Sequence, residues 1–555
     1  MKTNKEEANT RPSAFSLVVI LFVALLLQAC TGAAATATPA AAPLGTPEAV
    51  STPVEAPPTE PPAQTSVPSI EPAPPVEGIY TGLLRIAMEP IVQTDPALIS
   101  SDSEVLVAAH VYDYLVDVTP QNTIVPRLAT EWEISDDGLA YVFQLAPGVT
   151  FHDGTPLTAE DVVWTFDRLR NPDAGLPTLD LYSNIASVEA TGDLEVTFQL
   201  VQSNPFFLFD LSDNHALILK AGTEDASTNF NGTGPFRVAS YSPEDRILLE
   251  ANEDYFIPGQ PALAEVEIIF FSDPTAQVEA LRGGQVDLAM RLSTDLFLGL
   301  QDEPGLEFLQ VPTNQFDAVR LRADREPGDD PRVIQALKLA TDRDAIYQLV
   351  LQGFGEVGRD SPIGPMYTQY YTQEFPLPER DVAAASALLA EAGYTDGLEL
   401  QLHVPDTGDR PNLAVVLKEQ WAEAGVNVEV IVEPESVYYG DEGWLEVDLG
   451  ITGWGSRPYP QFYLDVMLRC DAIWNEAHWC DEEFDQLAQV AGTTPDDQER
   501  AQAYADIQRI LIERGPIIVP YFTTQRGAIN YQFQGFEMKP FPGRSDLRLV
   551  QFIGP

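Results

Sequence analysis

The chain has 555 residues, 45% of them hydrophobic, and carries 84 acidic side chains against 31 Lys and Arg for a formal net charge of -53. That length is enough for two or three structural units with a large core. So negative a surface argues against nucleic acid and anionic membrane surfaces as partners, because both would be repelled.

Lys2, Lys5 and Arg11 precede an unbroken apolar run, Leu17 to Leu27, the charged and hydrophobic parts of a secretory signal. The run is too short to span a bilayer, which takes about 20 residues. Leu27-Gln28-Ala29-Cys30 follows and resembles a bacterial lipobox, where the signal is cut before a cysteine that receives a diacylglyceryl group. Residues 1–29 are therefore read as a lipoprotein signal peptide and Cys30 as the lipidation site. A retained signal anchor, or ordinary cleavage leaving Cys30 free, are the alternatives; Gln28 and the acidic Glu6 and Glu7 depart from the usual pattern.

Residues 31–76 hold twelve prolines, many Ala and Thr, and no Lys or Arg. Such a stretch buries too little apolar surface to fold. As extended polyproline II it reaches up to roughly 140 Å, so 30–76 is read as a lipid-anchored disordered linker. Folded composition begins near Glu77.

In Pro126–Arg170, PRLATEWEISDDGLAYVFQLAPGVTFHDGTPLTAEDVVWTFDRLR, Trp132 to Ser135 reads as a strand and Asp136-Asp137-Gly138 as a tight turn. Tyr141, Phe143 and Leu145 alternate onto one face of the return strand. Thr158 caps a helix with Asp161 in the capping-box position, and Val162, Val163 and Phe166 form its buried face. Further on, Asn231-Gly232-Thr233-Gly234-Pro235-Phe236 is a Gly-rich turn, and Asn252-Glu253-Asp254-Tyr255 is a second short motif. Asp330-Pro331 starts a helix with Val333, Ile334 and Leu337 as its buried stripe, and Gly353 ends the helix after it. Helices from Asp381 and Asn412 stop at Gly393 and Gly425. Thr494-Pro495 begins a helix that Gly515-Pro516 ends, and Ile517 to Phe522 is a strand. Alternating helices and strands point to α/β lobes.

No phosphate loop, nucleophile elbow or zinc-protease helix is present, and the five histidines form no ligand pattern. Cys470 and Cys480 stand in an exported chain with nine residues between them. A local disulfide is the favoured reading over free thiols, and a metal site with His478 matches no standard zinc spacing.

The Pro126–Arg170 string closely resembles the signature region of the family 5 extracellular solute-binding proteins, the peptide- and nickel-binding lipoproteins that serve ABC importers. The Gly-rich turn, Asn252 to Tyr255, Asp330 to Leu337, Ala390-Glu391-Ala392-Gly393-Tyr394 and Gly453-Trp454 resemble later family motifs in the same order. The resemblance implies an α/β, two-lobed periplasmic-binding-protein-like clamp of type II, in the large peptide-binding class, with an extra subdomain in the first lobe. Its expected boundaries are 77–321 for lobe I, with the inserted subdomain at about 118–230, then 322–520 for lobe II and 521–555 for the return to lobe I. It implies ligand capture by hinge closure, with peptides held much like an added strand. No enzyme activity and no cofactor are expected. The expected partners are a peptide or other small solute, an ABC permease with its ATPase subunits, and the membrane through the N-terminal lipid, the protein being a monomer.

In peptide-binding relatives an aspartate three residues after the Gly-Trp tryptophan pairs with the peptide's α-amine. Trp454-Gly455-Ser456-Arg457 places Arg457 there, and a guanidinium prefers carboxylate or phosphate. Arg320 and Arg322 share one strand face; either that face meets the cleft or these arginines pair with acids such as Asp324 or Asp465. The expected ligand-binding residues are Trp454, Arg457, Tyr459 and Arg322, with Gln93 and Thr94 from the loop Glu89 to Pro96. Arg457 keeps a non-peptide solute (a sugar, an acidic metabolite or a metal chelate) in contention; a secreted hydrolase is a remoter alternative.

Overall fold

The computed structural model describes residues 81–440 and 443–554. The signal peptide, Cys30 and the linker lie outside these residues. Strand β1 (Leu83–Met88) is buried over most of its length, as a strand inside a parallel group must be when both sheet faces are covered. Ser101 then caps helix α1 (Asp102–Val111) in a full capping box with Glu104.

The inserted subdomain contains a four-stranded antiparallel sheet of β2 (Ala129–Ile134), β3 (Ala140–Leu145), β4 (Ile185–Gly192) and β5 (Glu195–Leu200), in spatial order β2-β3-β5-β4. The β2–β3 turn needs its glycine, because Gly138 has φ +67° and an added Cβ would stand 2.6 Å from Ser203 Oγ. Tyr141, Phe143 and Leu145 are buried. Helix α2 (Ala159–Leu169) starts where Asp161 Oδ2 accepts the Thr158 N–H at 2.8 Å, and it covers the subdomain sheet with Val162 and Phe166.

The chain then returns beside β1 through β6 (Phe236–Ser242), β7 (Arg246–Ala251), β8 (Glu265–Phe270) and β9 (Leu288–Met290). A 16-residue strand follows, β10 (Leu306–Leu321). Beyond it Asp330 caps helix α3 (Pro331–Ala340). The second lobe adds β11 (Leu398–Pro405), α4 (Arg410–Ala422), β12 (Val426–Glu433), β13 (Leu449–Trp454) and α5 (Asp497–Arg514), before β14 (Tyr521–Asn530) runs back. Helix α4 begins ahead of Asn412 because Pro411 fits its first turn. The lobe strands named so far lie in one twelve-stranded sheet, ten of whose strands follow the path β12-β11-β13-β10-β14-β9-β1-β8-β7-β6, while Gly355–Val357 pairs with β14 and Ile517–Ile518 with β10 beside it.

Strands β10 and β14 carry the chain between the lobes. The first half of β10 pairs with β14, and residues 316–321 pair with β13. Register shifts between them, so that Thr313, Asn314 and Gln315 stand opposite Thr523, a bulge that bends the strand. The lobe crossing therefore falls at 313–315 and 523, ahead of the 321/322 boundary expected from sequence and just after 520/521. Side-chain packing agrees: Phe316 and Ala318 belong to a cluster with Tyr463, Phe484, Tyr504 and Phe522, while Val319 and Leu321 pack with Leu402, Trp421 and Ile451. A separate cluster joins Leu84, Ile86 and Ile268 of the first lobe to Phe143, Phe166 and Phe198 of the subdomain.

Two devices tie down chain ends and loops. Lys539, Arg544, Arg548 and Arg127 surround buried Asp117, and together hold its carboxyl well below the usual range against the cost of burial, fastening the C-terminal segment to the first lobe. In the second lobe, Cys470 and Cys480 are joined by a disulfide across a Cα–Cα distance of 4.4 Å.

Candidate ligand cleft

Strands β1, β9 and β11 each end one residue before a charged side chain, Glu89, Arg291 and Asp406. These ends face a cavity of about 690 Å³ that both lobes line, the position where ligands bind in open α/β sheets. Its remaining walls come from the starts of α1 and α4, the crossing residues Gln315, Asp317 and Thr523 to Arg526, and Pro540 to Ser545 near the C-terminus.

The charges in this cleft differ in how well they are satisfied. Arg410 donates to Asp317 at 2.9 Å and to Thr407 Oγ1 at 2.6 Å, while the Tyr521 hydroxyl donates to the other Asp317 oxygen at 2.7 Å. That closed set raises the Arg410 pKa despite burial. Arg291 pairs with Asp102 at 3.0 Å, and burial still pushes the Asp102 carboxyl up. Arg526 is different. It is only 5% exposed, donates Nε to the Leu292 carbonyl at 3.2 Å, and leaves Nη1 buried with no hydrogen-bond partner among the described residues. Its nearest carboxylate among the described residues, Asp409, stands 3.9 Å away. Burial lowers the Arg526 pKa and raises that of Asp409.

The residues expected from sequence to hold ligand are not gathered in this cavity. Arg322 is bound to Asp324 at 2.7 Å and to Glu446 at 3.0 Å within the second lobe. Arg320 is fully buried against Glu476 at 3.1 Å, and Asp465 faces Arg469 instead. The arginine face of β10 thus meets carboxylates and the carbonyls of 444–447 rather than the cleft. Trp454 is 7% exposed and donates Nε1 to Glu476 at 3.1 Å, a core position. Gln93 and Thr94 lie in another part of the first lobe, where Glu104 accepts the Gln93 backbone N–H at 2.6 Å and Thr94 donates to the Ser227 carbonyl at 2.6 Å. Of that loop, Glu89 lines the cleft.

Tyr459 and Arg457 sit at a second seam between the lobes. The Tyr459 ring stacks on Phe206 with centroids 4.8 Å apart, and its hydroxyl donates to Asp210 at 2.5 Å. Asn122 donates to the Pro458 carbonyl at 2.6 Å. The Arg457 guanidinium lies 4.6 Å from the Phe462 ring centroid and helps to hold the Asp213 carboxyl down at about 2, an effect to which His215 contributes more. Tyr459 therefore acts as a lobe-to-lobe contact rather than an open ligand platform.

Arg526 and Asp409 escaped the sequence reading. The available signal was a lone arginine inside the otherwise uncharged strand Tyr521–Asn530, which marks a buried charge with a task.

The sequence profile of the bacterial extracellular solute-binding proteins, family 5, matches residues 123–475. The chain belongs to that family. Di/tripeptide-binding protein 1 of Pseudomonas aeruginosa is 27% identical over 485 residues, covering 80% of this chain and 90% of that protein. The fold matches that of the periplasmic binding protein DppA from Helicobacter pylori, solved with the peptide STSA, with a TM-score of 0.73 at 23% identity over 86% of this chain and 99% of that one. It also matches NikZ from Campylobacter jejuni, solved with Ni(L-His), with a TM-score of 0.73 at 24% identity over 84% and 97%. This family 5 protein is thus a two-lobed type II clamp whose relatives are solute-binding components of transport systems.

Proposed function

We propose that this family 5 protein captures a peptide or peptide-sized solute between its lobes and presents the closed complex to an ABC permease, tethered to the membrane through Cys30 and the linker. One observation carries the ligand reading: the cleft between the crossing strands offers charges of both signs, an under-satisfied Arg526 together with the acids Glu89, Asp406 and Glu435. A peptide with a free amine and a free carboxylate presents both complements. The peptide-binding relatives support the same ligand class.

A second reading, an acidic non-peptide solute, rests on Arg526 alone, whose buried Nη1, without a hydrogen-bond partner among the described residues, suits any carboxylate whether or not the ligand also carries an amine. Native mass spectrometry of the chain, purified without denaturation, separates the two. A ladder of peptide masses supports peptide import, and one discrete non-peptide mass refutes it.

A further inference from the structure

Arg526 stands at the floor of the cleft with its charge incompletely answered. Its Nε is taken by the Leu292 carbonyl, its Nη1 has no hydrogen-bond partner among the described residues, and the Phe354 ring centroid 5.9 Å away offers only a weak cation–π contact. The carboxylate of Asp409, at the first turn of α4 in the opposite lobe, stops at 3.9 Å, beyond hydrogen-bonding distance. Asp409 itself makes no side-chain capping bond to α4. Two opposite charges thus face each other across the lobe boundary without either being well bonded. A buried cation kept in that condition is costly unless a better partner arrives.

We propose that Arg526 is the anchor for a carboxylate group of the ligand, with Asp409 standing as its placeholder when the cleft is empty. The inference rests on the solute-capture reading above and adds the chemical group that the site selects. A carboxylate accepts two parallel N–H donors from a guanidinium, which Asp409 at its present distance does not. On binding, the ligand carboxylate takes the Arg526 fork, and Asp409 is released toward the backbone N–H groups at the start of α4.

The rival role for the pair is a latch in which Asp409 and Arg526 simply hold the lobes together. The two assign opposite consequences to Asp409. The test uses thermal melting and native mass spectrometry of the full chain with three probes: a casein digest, the same digest methyl-esterified on its carboxylates, and a pool of hydroxy acids and sugar acids. For an anchor, the untreated digest raises the melting temperature, the esterified digest does not, Arg526→Gln loses the shift, and Asp409→Asn keeps or enlarges it. The unliganded melt of Arg526→Gln reports its folding; should it lack a cooperative transition, Arg526→Lys, which keeps the charge without the fork, carries the same comparison and should lose most of the shift.

An esterified digest as effective as the untreated one overturns the anchor, as does a full shift retained by the Arg526 variant. An equal loss in Asp409→Asn and Arg526→Gln establishes the latch instead. A shift with the acid pool alone, lost in Arg526→Gln, removes the peptide reading while keeping Arg526 as a carboxylate anchor. No shift with any probe overturns the anchor.

Discussion

The Tyr459–Asp210 contact makes lobe closure sensitive to pH. Burial pushes the Asp210 carboxyl up to about 7, against the hydrogen bonds donated by Tyr459 and Asn204. When the lobes part, the carboxyl meets water and its pKa returns toward about 3.9. The closed form then binds the proton more tightly, so closure is favoured fully below about pH 4 and loses that support as pH rises through about 7. Between about pH 7.5 and pH 5 the closed-to-open ratio should rise roughly 70-fold, about 2.5 kcal/mol, as an upper estimate from that difference in pKa. The other charges near Asp210 are Asp213 and Asp465. Asp213 is held down mainly by His215, a bond within one lobe that survives opening. His215 is raised by that same bond, while Arg457 across the seam acts on both members of the pair, so only a variant isolates the Asp210 carboxyl. Small-angle scattering of the unliganded chain at the two pH values, with Asp210→Asn beside it, measures the effect. An equal pH response in Asp210→Asn would refute the reasoning.

Other substitutions probe the crossing and the tether. Asp317→Ala strips Arg410 of its buried partner and should cost about 3–5 kcal/mol, read as a lower midpoint in urea. Reducing the Cys470–Cys480 bond, which closes a loop of sequence separation 10, should cost roughly 2–3 kcal/mol, visible as a lower melting temperature in dithiothreitol. Arg457→Met should leave affinity for a ligand identified by native mass spectrometry within about threefold, because Arg457 is not among the residues lining the cleft; calorimetry checks this. Cys30→Ser should move the expressed chain from the detergent phase to the aqueous phase in a Triton X-114 partition.

What could be read from the sequence were the local rules. Thr158 with Asp161, the glycine at 138 and the Asp330-Pro331 helix start all act through neighbours within a few residues, so their spacing alone reveals them. The lobe crossing was displaced because a bulge depends on which residues of β14 lie opposite β10, a long-range pairing that no short window holds. The site was harder still. Arg322 and Arg526 are both strand arginines, and only the third dimension shows that Asp324 and Glu446 answer the first while the second is left with Leu292 and a distant Asp409. Family position likewise pointed to Trp454, whose indole is engaged by Glu476.

The acidic surface and the cationic cleft floor select together. At physiological ionic strength the field of the whole chain, with its formal charge of -53, is screened within about 8 Å in solution, so it discourages polyanions as they approach but does not reach into a buried contact. Inside the cleft Arg526 acts at low effective dielectric, where one charge-assisted fork outweighs the distant surface. A ligand that satisfies both conditions carries a carboxylate for Arg526 and no excess negative charge overall. A zwitterion fits that requirement, its ammonium group facing Glu89, Asp406 or Glu435 across the same cavity, and this is why the exchange of aspartate for Arg457 at the other seam leaves peptide capture chemically open to this protein.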